Sequence, residues 1–593
     1  MMAISAGCPN GLSEVDEIEE PRWWMGFPVN RSTGNTRSLP YVLLPILFAV
    51  VASTAAWSHS AEQPAQSAAT SPPESQPRGV KVEGKKKAFE RGGRVFGSPD
   101  VFRLHLQLPP TAMERMQADH RPYERGVLTE AGRPPWEAVG VKLKGAAGSY
   151  QDFSGKPGFT INLDKFRKKQ SFDGLDKFHL NNSVQDETYL NEWLGSEIFR
   201  LAGYPAPRVS HALVRLNDGQ PSLYVIRESY GVKLLERFFQ NPNGNLYDGG
   251  FVQDLDAELE KDSGDGVDDH SDLKGLVEAL RQEDPEARIR DIERCLDVER
   301  FIDFMALEKM ICHWDGYSAN TNNYRLYFDP ETRKAIFMPH GMDQIFGDTG
   351  MGLFELNGSL VARQILGSDR WRARYRQRIL ELMPIFVPAN DLVARVDAAA
   401  ARLKPAIEEL GKEAVANHQR QIEDLKQRLR ERSLRIVEQF QEEEPVPLSF
   451  GSGDSIPLPE WSPAADNDQI AVDTQTTSEG VEVLRVRVPS EQPGAGSWRR
   501  SLLLARGNYQ ITGRFRVLGL KRLDENHAET LVTGTNFEEQ WKAVDGSQDW
   551  SEFVIGIQVR EDRRAVEARL GIRVSEGELQ IDRSSLRIVR LGQ

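Results

Sequence analysis

The residues with the clearest chemical potential lie in "HWDGYSANTNNYRLYFD", positions 313–329, followed from position 340 by "HGMDQIFGD". Asp315 stands five positions before Asn320, with Asn322 and Asn323 close behind, and Asp343 follows a pair of alternating segments. Carboxylates and carboxamides are hard oxygen donors. Gathered around one point they suit a hard divalent cation such as Mg2+ or Mn2+, which needs neither thiol nor imidazole. The plain alternative is that Asp315 caps a turn and the asparagines satisfy loop backbone.

The elements that must position these residues are legible on both sides. Asp315 ends a helical stretch, "DVERFIDFMALEKMICHW", for which Asp297 is a natural N-cap. "NYRLYFD" and "KAIFMP" read as two strands joined by the turn "DPETRK", which delivers Asp343 just after the hairpin. An Asp, an Asn five residues on, a hairpin and a second Asp is also the layout of a phosphoryl-transfer loop. There one acid orients the attacking hydroxyl, and carboxamide and second acid hold the metal under the phosphates.

Upstream, "VFRLHLQLP", "EAVGVKLKG", "GFTINLDKF", "FHLNN" and "HALVRLNDGQPSLYVIRES" alternate as strands, the last a hairpin turning at Asn217-Asp218-Gly219. A helix, "ETYLNEWLGSEIFRLAG", is inserted among them, so this half reads as a mostly antiparallel sheet with one helix. Residues 271–312 and 360–441 are helical, and the long amphipathic run near 416–444 directs its many charges to solvent. The acidic run "QDLDAELEKDSGDGVDDHSD" lacks calcium-loop spacing and reads as a solvated insertion.

The stretch from about 95 to 440 resembles the CotH kinases, the spore coat protein H-like family of atypical protein kinases. The likeness rests on "VGVKLKGAAGS", "KPGFTINLDKF", "LNNSVQDETYLNEWLGSEIFRLAGYPAPRVSHALVRLN", "SLYVIRES", "GNLYDG", "HWDGYSANTNNYRLY" and "MPHGMDQIFG". The resemblance implies a kinase-like α+β fold, with an antiparallel β-rich N-lobe and a helical C-lobe. It also implies ATP with Mg2+ or Mn2+ as cofactors and transfer of phosphate to protein Ser/Thr. It puts Asp315 on the catalytic aspartate, Asp343 on the metal-binding one, and Asn320 and Asn323 in the asparagine-rich loop as metal-side residues. Lys144 and Lys156 become candidates for nucleotide phosphates under the loop "GAAGSYQDFSG"; ordinary strand-edge charges are the alternative. One departure is plain: where the family writes Pro-Trp-Asp-x-Asp, this chain has Pro339-His340-Gly341-Met342-Asp343, so a carboxylate is replaced by Gly341.

Composition bounds the rest. A chain of 593 residues calls for two or three domains, and 39% hydrophobic with 27% charged residues describes a globular protein. A net charge of −14 argues against a nucleic-acid partner, and three cysteines build no disulfide framework. Arg37 followed by an apolar run from Tyr41 to Ala52 and small residues to Ala56 reads as a signal peptide cleaved after Ala55 or Ala56, or an uncleaved anchor; a start at Met25 would remove the acidic stretch before it. The expected organisation is an extension and signal over 1–56, a disordered linker over 57–92, a kinase-like domain over 93–442, a linker over 443–461 and an antiparallel β-sandwich over 462–593. In that last part "VEVLRVRV", "RSLLL", "GNYQITGRFRVLG", "FVIGIQV", "AVEARLGIRV" and "SSLRIVRL" read as separate short strands with turns between them, and it resembles carbohydrate-binding-module-like jelly rolls. Trp498, Trp541 and Trp550 are candidates to stack on sugar, with core packing as the alternative.

Three functions follow as expectations. The first is an exported kinase acting on envelope or coat proteins. The second is an inactive scaffold of the same family at the cell surface. The third is a glycan binder working through its C-terminal part, with membrane contact only through an uncleaved N-terminal segment.

Overall fold

In a computed structural model of the protein the described residues are 91–592, apart from 147, 356–357, 524–530, 536–537 and 543. The expected signal segment and nearly all of the first linker lie outside them. The described part is α+β. No helix in it is long and apolar enough to cross a membrane.

Seven strands open the fold: β1 (Phe102–Gln107), β2 (Glu124–Glu130), β3 (Trp136–Lys144), β4 (Gly158–Asn162), β5 (Lys177–Asn181), β6 (Val209–Leu216) and β7 (Ser222–Glu228). Instead of an open sheet they form a closed barrel in the order β1-β2-β3-β4-β5-β7-β6. The parallel pairing of β1 with β6 completes it, Phe102 opposite Ala212. Alternation sends Val139, Val141, Leu143, Phe159, Ile161, Phe178, Leu180, Tyr224 and Ile226 inside, where they form one core. The complementary face is polar. Directly opposed residues share a face, so the pairs Lys142–Thr160, Thr160–His179 and His179–Arg227 draw one polar row across four strands.

That row faces the second half of the fold. Strands β8 (Leu246–Asp248), β9 (Lys261–Ser263), β10 (Tyr324–Asp329) and β11 (Lys334–Pro339) make a sheet in the order β11-β10-β8-β9. Around it pack α1 (Asn191–Leu201), α2 (Ser271–Arg281), α3 (Pro285–Cys295), α4 (Val298–Met310), α5 (Leu360–Gly367), α6 (Asp369–Leu382), α7 (Asn390–Glu409) and α8 (Lys412–Gln441). Asp297 caps α4 by accepting from the Arg300 N–H at 3.2 Å, as the sequence indicated. Phe301, Phe304, Tyr317, Tyr324 and Phe337 interlock beneath the hairpin, with ring centroids as close as 4.5 Å.

Two sequence expectations change here. The charges of α8 do not all face solvent: Arg432 is 1% exposed. It lies on the apolar stripe of Leu425, Leu429 and Ile436, so helical period carries it into the core. The acidic insertion is also partly internal. Leu255 and Leu259 are buried, and Asp254 accepts from the Tyr317 hydroxyl at 2.9 Å and the Leu360 N–H at 2.7 Å.

The C-terminal ten strands form a single hydrogen-bonded sheet system. The segments expected as separate short strands fuse into two long ones, Gly494–Lys521 and Gly546–Val574. They pair with each other almost throughout, with a register shift between Ala505 and Gly507 in place of the expected turn. Ser455–Pro457, from the expected linker, pairs with the last strand. The 560–563 segment touches the helical region through polar contacts: Arg288 donates to the Arg560 carbonyl at 2.8 Å, and the Asp369 N–H to Asp562 at 2.9 Å.

Candidate functional site

The loop after α4 is held from below by a buried carboxylate. Glu308 is 0% exposed and accepts from the backbone N–H groups of Tyr317 at 3.1 Å and Ser318 at 2.9 Å. A carboxylate removed from water needs such donors, and here they shape the turn that presents Asp315. Asp315 Oδ1 accepts from Asn320 at 2.8 Å and Asn322 at 3.1 Å, and Oδ2 from Asn322 at 3.1 Å and Asn323 at 2.7 Å. Asn320 and Asn323, expected on the metal side, thus turn their amide nitrogens to Asp315 and fix the orientation of its carboxylate.

The second acid is stitched to the first through backbone. His313, fully buried, bonds the Gly341 carbonyl through Nε2 at 3.1 Å, with Nδ1 3.5 Å from Glu308. The His340 N–H donates to the Asn323 carbonyl at 3.0 Å, and the Phe346 N–H to that of Ile311 at 2.9 Å. Arg432 completes the join from the far side. Its guanidinium donates to the carbonyls of Lys309 (2.6 Å) and Met310 (3.1 Å) before Asp315, and of Thr349 (3.0 Å) and Met351 (2.8 Å) after Asp343. One side chain therefore clamps both acid-bearing segments.

Gly341 has a structural reason. Its φ is +53°, and a Cβ there would lie 2.1 Å from Asn323 Oδ1 and 2.5 Å from Asn323 Cγ. The Asn323 side chain fills the space into which the family's missing carboxylate would grow.

Asp343 meets the barrel. Burial, then the charge of Glu192 and, less strongly, Asp186, push its carboxyl up to about 7, while Lys144 pulls it down. Lys144, at the end of β3, donates to Asn181 Oδ1 at 2.8 Å, and Asn181 donates in turn to Glu192 on α1. Burial, then the repulsion of Arg227, lowers the Lys144 ammonium to about 8; Glu192 and Asp343 oppose the shift. Asn191 donates to the Asp343 carbonyl at 2.9 Å, and its own buried Oδ1 has no hydrogen-bond partner among the described residues. A crowded, costly carboxylate beside an orphaned amide oxygen is a donor set suited to a hard divalent cation. No group of three His, Cys, Asp or Glu among the described residues forms a metal site by itself. Such a cation would need phosphate oxygens and water to complete its shell beside Asp343 and Asn191.

Lys156 stands apart. Burial lowers it to about 7. Its Nζ lies 4.8 and 5.1 Å from the ring centroids of Tyr189 and Tyr224, a cation–π cage. In the C-terminal sheets Trp498 is 5% exposed and donates to the Arg485 carbonyl at 3.1 Å, so it is a core residue with no ring face open to sugar. Trp550 is half-buried, with the Arg514 and Arg516 guanidinia 5.2 and 4.8 Å from its ring. Trp541 lies in the strand Glu538–Lys542, and its side chain is outside the described residues.

Sequence reading missed Glu192, Arg227, His313 and Arg432. The available signal was a lone charged or polar residue within an otherwise apolar run, as in "LNEWLGSEIF" and "LYVIRES".

Comparison with known proteins gives a family match over this part of the chain. The family model described as CotH kinase protein matches residues 141–434, a span holding Lys144, Glu192, Asp315 and Asp343. The inner spore coat protein H of Bacillus subtilis is 22% identical over 265 residues, covering 41% of this chain and 72% of that protein. Invasin CotH2 of Rhizopus delemar is 25% identical over 190 residues, 29% of this chain and 32% of the invasin. The chain thus spans about a third of the invasin's length. Among solved structures, TmCBM61 in complex with beta-1,4-galactotriose (12% identity, 22% of this chain and 88% of that one) has a TM-score of 0.16. The CBM22-1 xylan-binding domain of Paenibacillus barcinonensis Xyn10C (14% identity, 23% and 94%) has a TM-score of 0.15. Scores of this size fix neither fold nor ligand. With acids, asparagine loop and barrel lysine all inside it, the span 141–434 matches the CotH kinase family.

Proposed function

We propose that the protein is an atypical ATP-dependent protein kinase that phosphorylates Ser or Thr on envelope or coat proteins. The observation that carries this reading is the meeting of Lys144, Glu192 and Asp343 beside a backbone-stitched loop bearing Asp315. Lys144, protonated in most molecules near pH 7, is suited to hold phosphate oxygens. Asp315, held by three carboxamides, would orient the acceptor hydroxyl and receive its proton as the new P–O bond forms and the bond to the leaving nucleotide breaks. Asp343, with the orphaned Asn191 oxygen at hand, would hold Mg2+ or Mn2+, which when bound neutralises charge on the transferring phosphoryl group. Spore coat and invasin relatives support a surface or coat location, reached through the N-terminal signal.

Transfer of label from γ-labelled ATP by the full chain tests the proposal: wild type labels itself or an added protein, and D315N and D343N do not. A second reading, a scaffold without activity, is favoured by one observation, the replacement of a family carboxylate by Gly341 with Asn323 in its place. Wild-type protein that binds ATP but never transfers label would establish it. For the glycan reading, a buried Trp498 removes the first candidate and leaves Trp550 as the described one to test, by glycan-array binding of the full chain.

A further inference from the structure

Arg227 is the least explained charge near this site. It lies on β7 directly opposite His179 on β5, on the same polar barrel face as Lys144 and Asn181. It is 2% exposed, and its Nη1 has no hydrogen-bond partner among the described residues. Nε lies 3.2 Å from Glu192 Oε1 without the alignment of a hydrogen bond. Glu192 is already engaged by Asn181 and also faces Lys144, so one carboxylate serves two cations. Nearby Arg325 does not compete for it, being paired with Asp248 at 2.5 Å and Asp262 at 3.5 Å. Leaving a buried guanidinium N–H unmet is costly, and a bound anion would remove that cost.

We propose that Arg227 is an anion-binding residue of the site, its free Nη1 donating to a phosphate oxygen of the nucleotide beside Lys144. This rests on the nucleotide reading above. Phosphate is the fitting anion because a planar guanidinium meets it with directed N–H donors, whereas the neighbouring ammonium acts as a point charge. The surroundings are cation-rich in the same sense: His179 and His340 are held well below the usual histidine range, first by burial and next by Arg227. A divalent cation at Asp343 would be met first by the carboxylates of Asp343, Glu192 and Asp186, leaving the Arg227 and Lys144 cations for the phosphates.

The test is titration of the full chain with a fluorescent ATP analogue. Because R227M strands Glu192 without its partner, the informative variant is R227M/E192Q, in which both charges go together, with R227K as the conservative control. Expected are a 10- to 100-fold weaker Kd for R227M/E192Q, a smaller loss for R227K, and melting of the double variant within a few degrees of wild type. Wild-type affinity in a folded R227M/E192Q would overturn the inference, leaving Arg227 as a counter-charge for Glu192. If wild type binds no nucleotide, the kinase reading fails separately, and inorganic tripolyphosphate decides for Arg227. A thermal shift in wild type that R227M/E192Q lacks supports it, and equal or absent shifts in both refute it.

Discussion

Restoring the family's carboxylate at position 341 tests whether Gly341 is a lost ligand or a packing necessity. The Cβ of G341D would stand 2.1 Å from Asn323 Oδ1, and the residue would sit at φ +53°. A non-glycine residue in the left-handed region costs about 1 kcal/mol. Asn323 must also swing away, giving up its bonds to the Asp315 carboxylate at 2.7 Å and the Asp315 carbonyl at 3.0 Å. A hydrogen bond to a charged group is worth about 1.5–3 kcal/mol. The sum is roughly 3 kcal/mol, which lowers the melting temperature of a domain of about 350 residues by about 4 °C. Thermal unfolding of wild type, G341A, G341D, N323G and G341D/N323G measures it. G341A pays the clash and strain without the new charge, and N323G vacates the space. The double variant therefore costs less than the sum of the singles by at least about 1 kcal/mol. G341A melting within a degree of wild type, or strictly additive effects, would refute the reasoning and return Gly341 to the status of a missing ligand.

Other outcomes follow from the same geometry. R432M removes four hydrogen bonds to backbone carbonyls and the clamp between the two acid-bearing segments, so it costs at least about 4 kcal/mol by urea unfolding, whereas exposed R435M costs under about 0.5 kcal/mol. Lys156 falls from its ordinary 10.5 to about 7 on folding, so between those values the unfolded chain binds more protons and wild-type stability rises with pH. K156M removes that rise and is the more stable protein at pH 7, checked by denaturant midpoints from pH 6 to 10. W498A empties a core position and costs about 3–5 kcal/mol, with any glycan binding by the folded fraction unchanged; retained stability would put Trp498 at the surface.

The hairpin, the capped helix before it and the spacing of Asp315, Asn320 and Asp343 were legible because short-range rules govern them: strand alternation, one cap, one turn. Barrel closure was not. It depends on β1 pairing with β6, segments about a hundred residues apart, and no local pattern reports such a partner. Strand β2 escaped because only Gly126 and Leu128 are buried in a run otherwise holding Glu124, Arg125 and Glu130. The expected turn near Gly507 was a charged stretch that the long strands simply run through. In the site itself, the residue types marked the segments but not their contacts. The asparagines were read as oxygen donors to a cation, whereas packing turns their nitrogens onto Asp315. Glu192, Arg227 and Arg432 were hidden because a buried charge looks like a surface charge until its neighbours in space are known. Arg432 is the instructive case, since its place on the Leu425–Leu429–Ile436 stripe was visible all along.

Everything turns on whether one compartment, bounded by Lys144 of the barrel and Asp343 of the loop, receives a nucleotide and its cation. Equilibrium binding of ATP to the full chain, with and without Mn2+, for wild type, K144M and D343N measures this most directly. The expected result is Mn2+-dependent binding that D343N makes metal-independent and weak, and that K144M weakens at least tenfold with or without metal. Tight ATP binding that neither variant alters would mean that the nucleotide sits elsewhere, and the site described would not be the site of phosphoryl transfer.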